Sequence, residues 1–240
     1  MNRPFPEMPE YYREKLSAAR LEKAYEIAPP RVRQYLEAEI EHAVRGLGPG
    51  DAVLELGCGY GRVMSRLAGS ARFVVGIDTS LESMRHGKAG LERAGNCAFA
   101  RMDAVRLGFR DDAFDRVVCI QNGISAFHVD ARALVREGVR VTRPGGLALF
   151  SSYSESFWED RLAWFVLQAE AGLVGEIDRG RTGDGRIVCK DGFTATTFTA
   201  RQFAALAGEI GVDARIVEVD SSSVFCEITP GVPAKKGRVL

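Results

Sequence analysis

One apolar run in the chain ends in an unusual glycine pattern. Residues 52–56 are followed by Gly57, Gly59 and Gly61, which alternate with single residues before a helix-like segment. Glycines suit a turn against which a ligand packs, because no Cβ atom separates the backbone from the ligand. A turn that binds a dinucleotide pyrophosphate carries Gly-x-Gly-x-x-Gly instead. The spacing therefore indicates a ligand site but disfavours a pyrophosphate, and the preceding Glu55 favours a ligand with positive charge.

Two further apolar runs each end in a carboxylate, at Asp78 and at Asp103. Open α/β sheets bind ligands at the carboxyl ends of their strands, so both acids are expected at the edge that holds the glycine turn. Asp78 can bridge two ribose hydroxyls, and Asp103 can accept from an exocyclic amine, while Met84 and Met102 offer apolar contact to a ring. These residues predict an adenosine pocket. The alternative is that either aspartate caps a helix.

Strand-like and helix-like segments alternate around these motifs. Short apolar runs predict buried strands at 52–56, 72–77, 98–102, 116–120 and 147–153. Helical periodicity predicts helices at 60–67, 81–93 and 131–139. Such alternation is typical of a parallel sheet covered on both faces, and right-handed crossovers make it a doubly wound α/β fold.

The flanking segments depart from this alternation. Residues 11–47 predict helices interrupted at Pro29-Pro30. A turn is expected at 143–146, and the stretch 154–197 predicts an insertion over the sheet edge. Within it we expect a helix at 158–171 and a hairpin that pairs 173–177 with 186–190.

The end of the chain carries a clear helix signal. Thr199 and Gln202 form a capping-box pattern, and Gly211 is a suitable stop. Two antiparallel strands are expected after it, at 214–219 and 224–229. We predict one domain over 1–240, divided into a helical cap (1–47), a cofactor-binding core (48–153), a substrate-side insertion (154–197) and a closing helix with strands (198–230).

Composition narrows the classes of partner. Lys plus Arg equals Asp plus Glu, 32 of each, so the chain lacks the global positive field that nucleic-acid binding uses. No apolar run approaches the ~20 residues of a membrane span, and the start lacks a signal-peptide core. Five cysteines and three histidines are too scattered for a disulfide framework or a metal site. We expect a cytoplasmic protein with no metal, a monomer or homodimer.

The ordered motifs resemble the class I S-adenosylmethionine-dependent methyltransferases over about residues 51–150. The resemblance rests on the turn from Glu55 to Gly61, Asp78, Asp103, Phe114-Asp115 and the segment 143–146. It implies a Rossmann-like seven-stranded sheet with an antiparallel last strand and helices on both faces. It also implies S-adenosylmethionine as cofactor and S-adenosylhomocysteine as product.

The resemblance gives roles to individual residues. The three glycines would contact the methionine moiety, Asp78 the ribose and Asp103 the adenine amine. The expected cofactor site comprises Glu55, Gly57, Cys58, Gly59, Gly61, Asp78, Thr79, Met84, Met102, Asp103, Ala104 and Gln121. Two simpler interpretations stand beside it. The glycine turn can serve tight packing alone, and Cys58 is expected to be small filler because no neighbouring Lys or His activates its thiol.

The stretch after the fourth strand is where the acceptor meets the methyl group in this family. Enzymes that methylate exocyclic base amines carry Asp/Asn-Pro-Pro-aromatic there, whereas this chain has Asn122-Gly123-Ile124, so base methylation loses support. Asn122 and His128 resemble small-molecule methyltransferases and are the predicted catalytic residues. His128 is either a general base near neutral pH or a residue that packs beside the following helix.

Aromatic residues near the predicted opening are expected to shape the acceptor pocket. The predicted substrate-binding residues are Tyr11, Tyr12, Tyr25, Phe127, Tyr153 and Trp158, with Phe157 and Phe165 on the same apolar wall. Packing of an amphipathic helix on the core explains these aromatics equally well.

The sequence therefore predicts a methyltransferase that acts on a small-molecule acceptor. Methyl transfer from a sulfonium is an in-line displacement, so holding the acceptor in line and close can suffice without a strong base. The N-terminal helices and the insertion would cover the pocket and exclude water. Two alternatives stay open: a protein or tRNA methyltransferase, which a basic groove would indicate, and a noncatalytic module that binds the cofactor without turnover.

Overall fold

Seven strands form one twisted sheet in the computed structural model, which describes residues 11, 15–92 and 94–231. The nine strands of the described chain are β1 (Ala52–Leu56), β2 (Phe73–Asp78), β3 (Cys97–Arg101), β4 (Phe114–Cys119), β5 (Thr142–Tyr153), β6 (Arg186–Val188), β7 (Thr194–Thr196), β8 (Ala214–Val219) and β9 (Ser223–Ile228). The sheet order is β3-β2-β1-β4-β5-β9-β8. Strands β1 to β5 pair in parallel, and β9 runs antiparallel to both of its neighbours. The predicted doubly wound sheet with an antiparallel last strand is confirmed.

Helices cover the sheet on both faces. They are α1 (Ala18–Glu26), α2 (Pro30–Val44), α3 (Arg62–Ala68), α4 (Leu81–Glu92), α5 (Gly123–Ala126), α6 (Ala131–Val141), α7 (Trp158–Glu170) and α8 (Ala200–Ile210). Successive side chains of a strand point to opposite faces of the sheet. Because helices cover both faces, every residue of β1 is buried. Val53 belongs to the core formed with α2 and α3, whereas Leu54 belongs to the core formed with α6 and α8.

Local signals fix several helix ends. Pro30 occupies the first position of α2, where its missing N–H costs nothing. The capping box of Thr199 and Gln202 is present at the start of α8, and Gly211 ends that helix in the left-handed conformation at φ +74°. These boundaries depend on residues only a few positions apart, which explains why the sequence predicts them.

Two local expectations differ from the structure. The strand β5 begins at Thr142 rather than 147, because residues 143–146 bulge out between two stretches that both pair with β4. The strand β6 pairs with β7 and not with 173–177, from which only the isolated bridge between Ile177 and Cys189 remains. A tight turn explains this preference, since Gly192 adopts φ +96° and donates its N–H to the Cys189 carbonyl.

A third hydrophobic core lies outside the sheet. It joins the N-terminal helices α1 and α2 to α7 and to the hairpin of β6 and β7. The Trp164 indole N–H donates to the Ala24 carbonyl at 2.9 Å, and Asn122 Nδ2 donates to the Thr196 carbonyl at 3.1 Å. These contacts place the 154–197 segment across a cavity from the carboxyl ends of the strands, rather than over the sheet edge. The predicted domain boundaries stay a prediction.

Among the described residues, no helix combines the length and the apolar character that crossing a bilayer requires. No group of three His, Cys, Asp or Glu side chains gathers there as metal ligands would. All five cysteines are unpaired thiols, and four of them are buried.

Candidate functional site

A cavity of about 510 Å³ lies between the carboxyl ends of the strands and the third core. Its lining includes these predicted residues: Glu55, Gly57, Cys58, Gly59, Asp78, Thr79, Met102, Asp103, Ala104, Gln121, Asn122, Tyr25, Phe127 and Tyr153. The structure thus brings most of the predicted site together. Six predicted residues, namely Gly61, Met84, His128, Tyr11, Phe157 and Trp158, do not line the cavity, and Tyr12 lies outside the described residues.

The glycine turn holds its shape through backbone hydrogen bonds. The N–H groups of Gly57 and Cys58 both donate to the Ile77 carbonyl, at 2.8 and 2.9 Å. Gly57 adopts φ +74°, and a Cβ atom there would lie 2.3 Å from the Phe127 ring. Glycine is therefore required by backbone conformation and by the close approach of an aromatic ring at the same time.

Gly61 has a packing role. It begins α3 at φ +87°, and a Cβ atom there would lie 2.3 Å from Leu91 and 3.1 Å from Phe99. This glycine lets α3 pack closely against α4 and β3, as the packing interpretation of the turn supposes. Met84 is likewise buried beneath the site rather than in its lining.

The Asp78 carboxylate ties the end of β2 to the glycine turn. One oxygen accepts from the Gly59 N–H at 2.8 Å and the other accepts from the Ser80 N–H at 2.7 Å. Burial raises the pKa of Asp78 above its ordinary value, and the N–H donors oppose that rise. Asp78 is partly exposed and lines the cavity, and its carboxylate keeps lone pairs with which it can accept from hydroxyl groups.

The predicted adenine end has a similar construction. One Asp103 carboxylate oxygen accepts from the Val105 N–H at 3.0 Å, so this residue also stabilises a turn. Met102 Sδ accepts from the Gly108 N–H at 3.2 Å, which fixes the thioether beside the cavity. Thr79 and Ala104 complete this part of the lining. No helix of the described chain follows Asp103 before β4, so it caps none, and its role in the turn is compatible with a ligand role.

Glu55, which is buried, and Arg62, which is partly exposed, both line the cavity. Burial raises the pKa of Glu55 to about 8, against the opposing positive charge of Arg62. The Oε2 atom of Glu55 is buried and has no hydrogen-bond partner, and Nε and Nη2 of Arg62 are in the same condition. The Arg62 guanidinium lies 4.3 Å from the centre of the Tyr25 ring. These atoms fit a ligand that carries both a cation and an anion.

The chain bends sharply after β4 by placing two non-glycine residues in the left-handed region. Gln121 has φ +57° and Asn122 has φ +64°. The Gln121 N–H is held by Glu39, a fully buried carboxylate on α2, at 2.5 Å, and by Ser151 Oγ at 3.0 Å. Burial raises the pKa of Glu39 to about 7. This strained bend aims the post-β4 residues into the cavity.

The two predicted catalytic residues occupy different places. Asn122 lines the cavity, but its Oδ1 accepts from Ser152 Oγ at 2.6 Å and its Nδ2 donates to the Thr196 carbonyl. These two hydrogen bonds give the Asn122 amide a structural role, because they link β5 to β7. His128 lies between two lining residues, Phe127 and Val129, without lining the cavity itself. It is exposed to solvent, and partial desolvation of its ring lowers its pKa. The structure therefore supports neither the general-base role nor close packing beside the following helix.

The thiol of Cys58 lines the cavity but has no activating neighbour. Burial raises its pKa well above the ordinary value, and the negative charges of Glu55 and Asp78 act in the same direction. The thiol is therefore protonated at neutral pH, as expected of a small filler.

Only some of the predicted aromatic residues line the cavity. Tyr25, Phe127 and Tyr153 line the cavity, whereas Trp158 begins α7 on a different side of that helix. Tyr11 is held away by its hydroxyl, which donates to Asp191 at 2.7 Å and accepts from the Gly175 N–H. Lining residues that the sequence interpretation missed are Tyr35, Arg62, Trp164 and Gln168.

The part of the chain that carries the glycine turn and both aspartates matches a known protein family. Residues 53–146 match the family model described as a methyltransferase domain. A demethylmenaquinone methyltransferase of Corynebacterium urealyticum is 39% identical over 108 residues, which are 45% of this chain and 44% of the relative. A malonyl-[acyl-carrier protein] O-methyltransferase of Erwinia pyrifoliae is 34% identical over 144 residues, 59% of this chain and 52% of the relative. The chain spans about half the length of these curated relatives.

A solved structure extends the likeness in fold. A S-adenosylmethionine-dependent methyltransferase from Methanosarcina mazei superposes with a TM-score of 0.58, covering 85% of this chain and 98% of that chain at 19% identity. The match over residues 53–146 makes this part of the chain similar to methyltransferase domains, and the solved structure shares its fold.

Proposed function

We propose that this chain transfers the methyl group of S-adenosylmethionine to a small-molecule acceptor. The observation that carries the proposal is the cavity itself, because one continuous space joins the glycine turn and Asp78 to the aromatic residues of α1 and α7. A cavity enclosed in this way suits an acceptor that enters whole. The name of one relative, a demethylmenaquinone methyltransferase, is compatible with a small-molecule acceptor.

The residues present fit the cofactor. S-adenosylmethionine supplies an electrophilic methyl group on a sulfonium and also carries an amino-acid end and an adenosine. We assign the unpartnered Glu55 Oε2 to the ammonium and the unpartnered Arg62 nitrogens to the carboxylate of that amino-acid end. Asp78 would accept from the ribose hydroxyls and Asp103 from the adenine amine. Their common effect is to orient the reacting centre, which is the main requirement of in-line transfer.

The surrounding residues exclude water from the reaction. Trp164 and Phe165 are nearly completely buried and line the side of the cavity formed by α7. Tyr25 on α1 lies near them, with 6.2 Å between its ring centre and that of Trp164. A dry, apolar environment favours a reaction in which the sulfonium charge is neutralised, because water would stabilise that charge in the ground state.

Binding of S-adenosylhomocysteine at pH 7 is expected to release protons through Glu55. Burial places its pKa at about 8, so the carboxyl is mostly protonated in the free protein at neutral pH. An ammonium beside Oε2 favours the carboxylate and lowers that pKa, so a proton leaves on binding. Calorimetry in buffers of different ionisation enthalpy measures this release. We expect affinity to rise between pH 6 and 8.

The Glu55→Gln variant should bind more weakly and release no proton at this site. Glu37→Gln is the matched control, because Glu37 pairs with Arg66 on the exposed side of α2. Wild-type binding enthalpy that does not depend on the buffer would remove Glu55 from the ammonium site.

The function is tested by transfer of a labelled methyl group from S-adenosylmethionine into size-fractionated cell extract. We expect label in the metabolite fraction with wild-type protein and a strong reduction with Asp78→Ala. Label confined to protein or RNA would replace the proposal with a macromolecular acceptor. Binding of S-adenosylhomocysteine without label in any fraction would indicate a noncatalytic module.

A further inference from the structure

The part of the cavity formed by α1, α2, α7 and the end of β5 carries a group of uncharged side chains. They are Tyr25, Tyr35, Tyr153, Trp164, Phe165 and Gln168. Several are held in place by their own contacts: the Trp164 indole N–H donates to the Ala24 carbonyl, and the Tyr35 and Tyr153 ring centres lie 5.4 Å apart. Such a fixed aromatic wall favours a flat, apolar ligand body.

One amide in this wall lacks a hydrogen-bond partner. Gln168, on α7, is only 2% exposed, and its buried Nε2 donates to no group in the described structure. A buried donor without a partner is costly, so its presence in a cavity lining points to a ligand that accepts from it. A second unpartnered amide nitrogen belongs to Gln121, whose Oε1 accepts from the Tyr25 hydroxyl at 3.4 Å.

We propose that the methyl acceptor is an uncharged planar ring that carries hydroxyl or carbonyl oxygens, and that Gln168 and Gln121 donate hydrogen bonds to those oxygens. The inference rests on the proposed function, since it names the acceptor class of the same site. Gln168 acts as a specificity residue, because it would bind the acceptor directly and take no proton from it.

The charges around the wall argue against an anionic acceptor. Arg161 is fully buried behind Tyr153, 4.2 Å from the centre of that ring, but its guanidinium donates to the Gly185 carbonyl and to Thr197 Oγ1. Arg161 does not line the cavity. Arg62 lies beside the glycine turn and is assigned above to the carboxylate of the cofactor. A carboxylate on the acceptor would therefore be buried without a counter-charge of its own.

The test compares two probes with the same ring system, a naphthalenediol and a naphthoate. Each is titrated by calorimetry into protein saturated with S-adenosylhomocysteine. We expect the diol to bind at least about tenfold more tightly than the carboxylate. Gln168→Leu, which keeps the approximate size but removes the donor, should weaken the diol about fivefold or more while leaving S-adenosylhomocysteine affinity unchanged.

Two further variants protect this comparison. Gln168→Met is a second replacement without a donor in case the leucine variant fails to fold, and thermal melting checks both. Gln34→Leu is the matched control, because Gln34 lies on exposed α2 surface and donates to Asp220 at 2.6 Å. It should leave diol binding unchanged.

The inference and the proposed function fail in different ways. Equal affinity for both probes, no binding of the diol to the saturated protein, or wild-type diol affinity in folded Gln168 variants would each overturn the acceptor class alone. Failure of S-adenosylhomocysteine itself to bind would overturn the proposed function, and the acceptor assignment with it.

Discussion

Replacing Gly87 by alanine is expected to destabilise the fold and weaken cofactor binding together. Gly87 lies on α4, where a Cβ atom would be 1.8 Å from the Tyr60 carbonyl oxygen and 2.5 Å from its carbon. Tyr60 belongs to the glycine turn. Because the obstacle is backbone, no side-chain rotation can relieve it, so either α4 or the turn must move. Overpacking of this kind costs about 1–3 kcal/mol, and the severity of the overlap places Gly87→Ala at the upper end.

The same helix supplies the control. Gly90 lies three residues further along α4, where it is exposed and a Cβ atom would meet nothing within 4 Å. Gly90→Ala should therefore stabilise the protein by up to about 1 kcal/mol through helix propensity. Urea unfolding measures both stabilities, and calorimetry with S-adenosylhomocysteine should show at least a tenfold loss only for Gly87→Ala. Alanine variants of equal stability would contradict the close contact of α4 with the turn.

The Gly87 contact also illustrates what the sequence does and does not predict. The glycine turn, the strand-end aspartates and the alternation of strands and helices along the chain follow from patterns within a few residues, and the fold agrees with them. Nothing within the local sequence of α4 says that Gly87 will meet Tyr60, because that distance depends on how two elements pack. Sequence patterns therefore predict the elements well and their closest contacts poorly.

The acceptor side of the cavity shows the same limit more strongly. Trp158 and Trp164 both lie on α7, six residues apart and hence on different sides of the helix. The sequence favours Trp158, whereas the structure turns Trp164 into the cavity. Apolar periodicity does not decide between them, because α7 also buries Arg161 completely and so lacks a clean polar face. Tertiary packing selects which face of α7 lines the cavity, and Gln168 lies on the same face as Trp164.

Loss of the Asp78 carboxylate is expected to weaken S-adenosylhomocysteine binding by about tenfold or more, since a hydrogen bond to a charged group contributes roughly 1.5–3 kcal/mol. The structure adds a second reason for the loss. Asp78→Ala also removes the acceptor of the Gly59 and Ser80 N–H groups, which hold the glycine turn against β2. Asp78→Asn keeps an oxygen for one of those donors, so its affinity should fall between wild type and the alanine variant.

A matched aspartate separates binding from stability. Asp115 accepts from the Ala52 N–H at 2.8 Å at the amino end of β1, away from the cavity. Against the effect of burial, this hydrogen bond and the salt bridge with Arg143 lower its pKa. Asp115→Ala should therefore lower the melting temperature while S-adenosylhomocysteine affinity stays at the wild-type value. Unchanged calorimetric affinity of Asp78→Ala would remove Asp78 from the ligand site. An equal loss of affinity in Asp78→Ala and Asp115→Ala would mean that the effect reflects stability. Of these two aspartates, Asp78 is the one that lines the cavity and contacts the glycine turn.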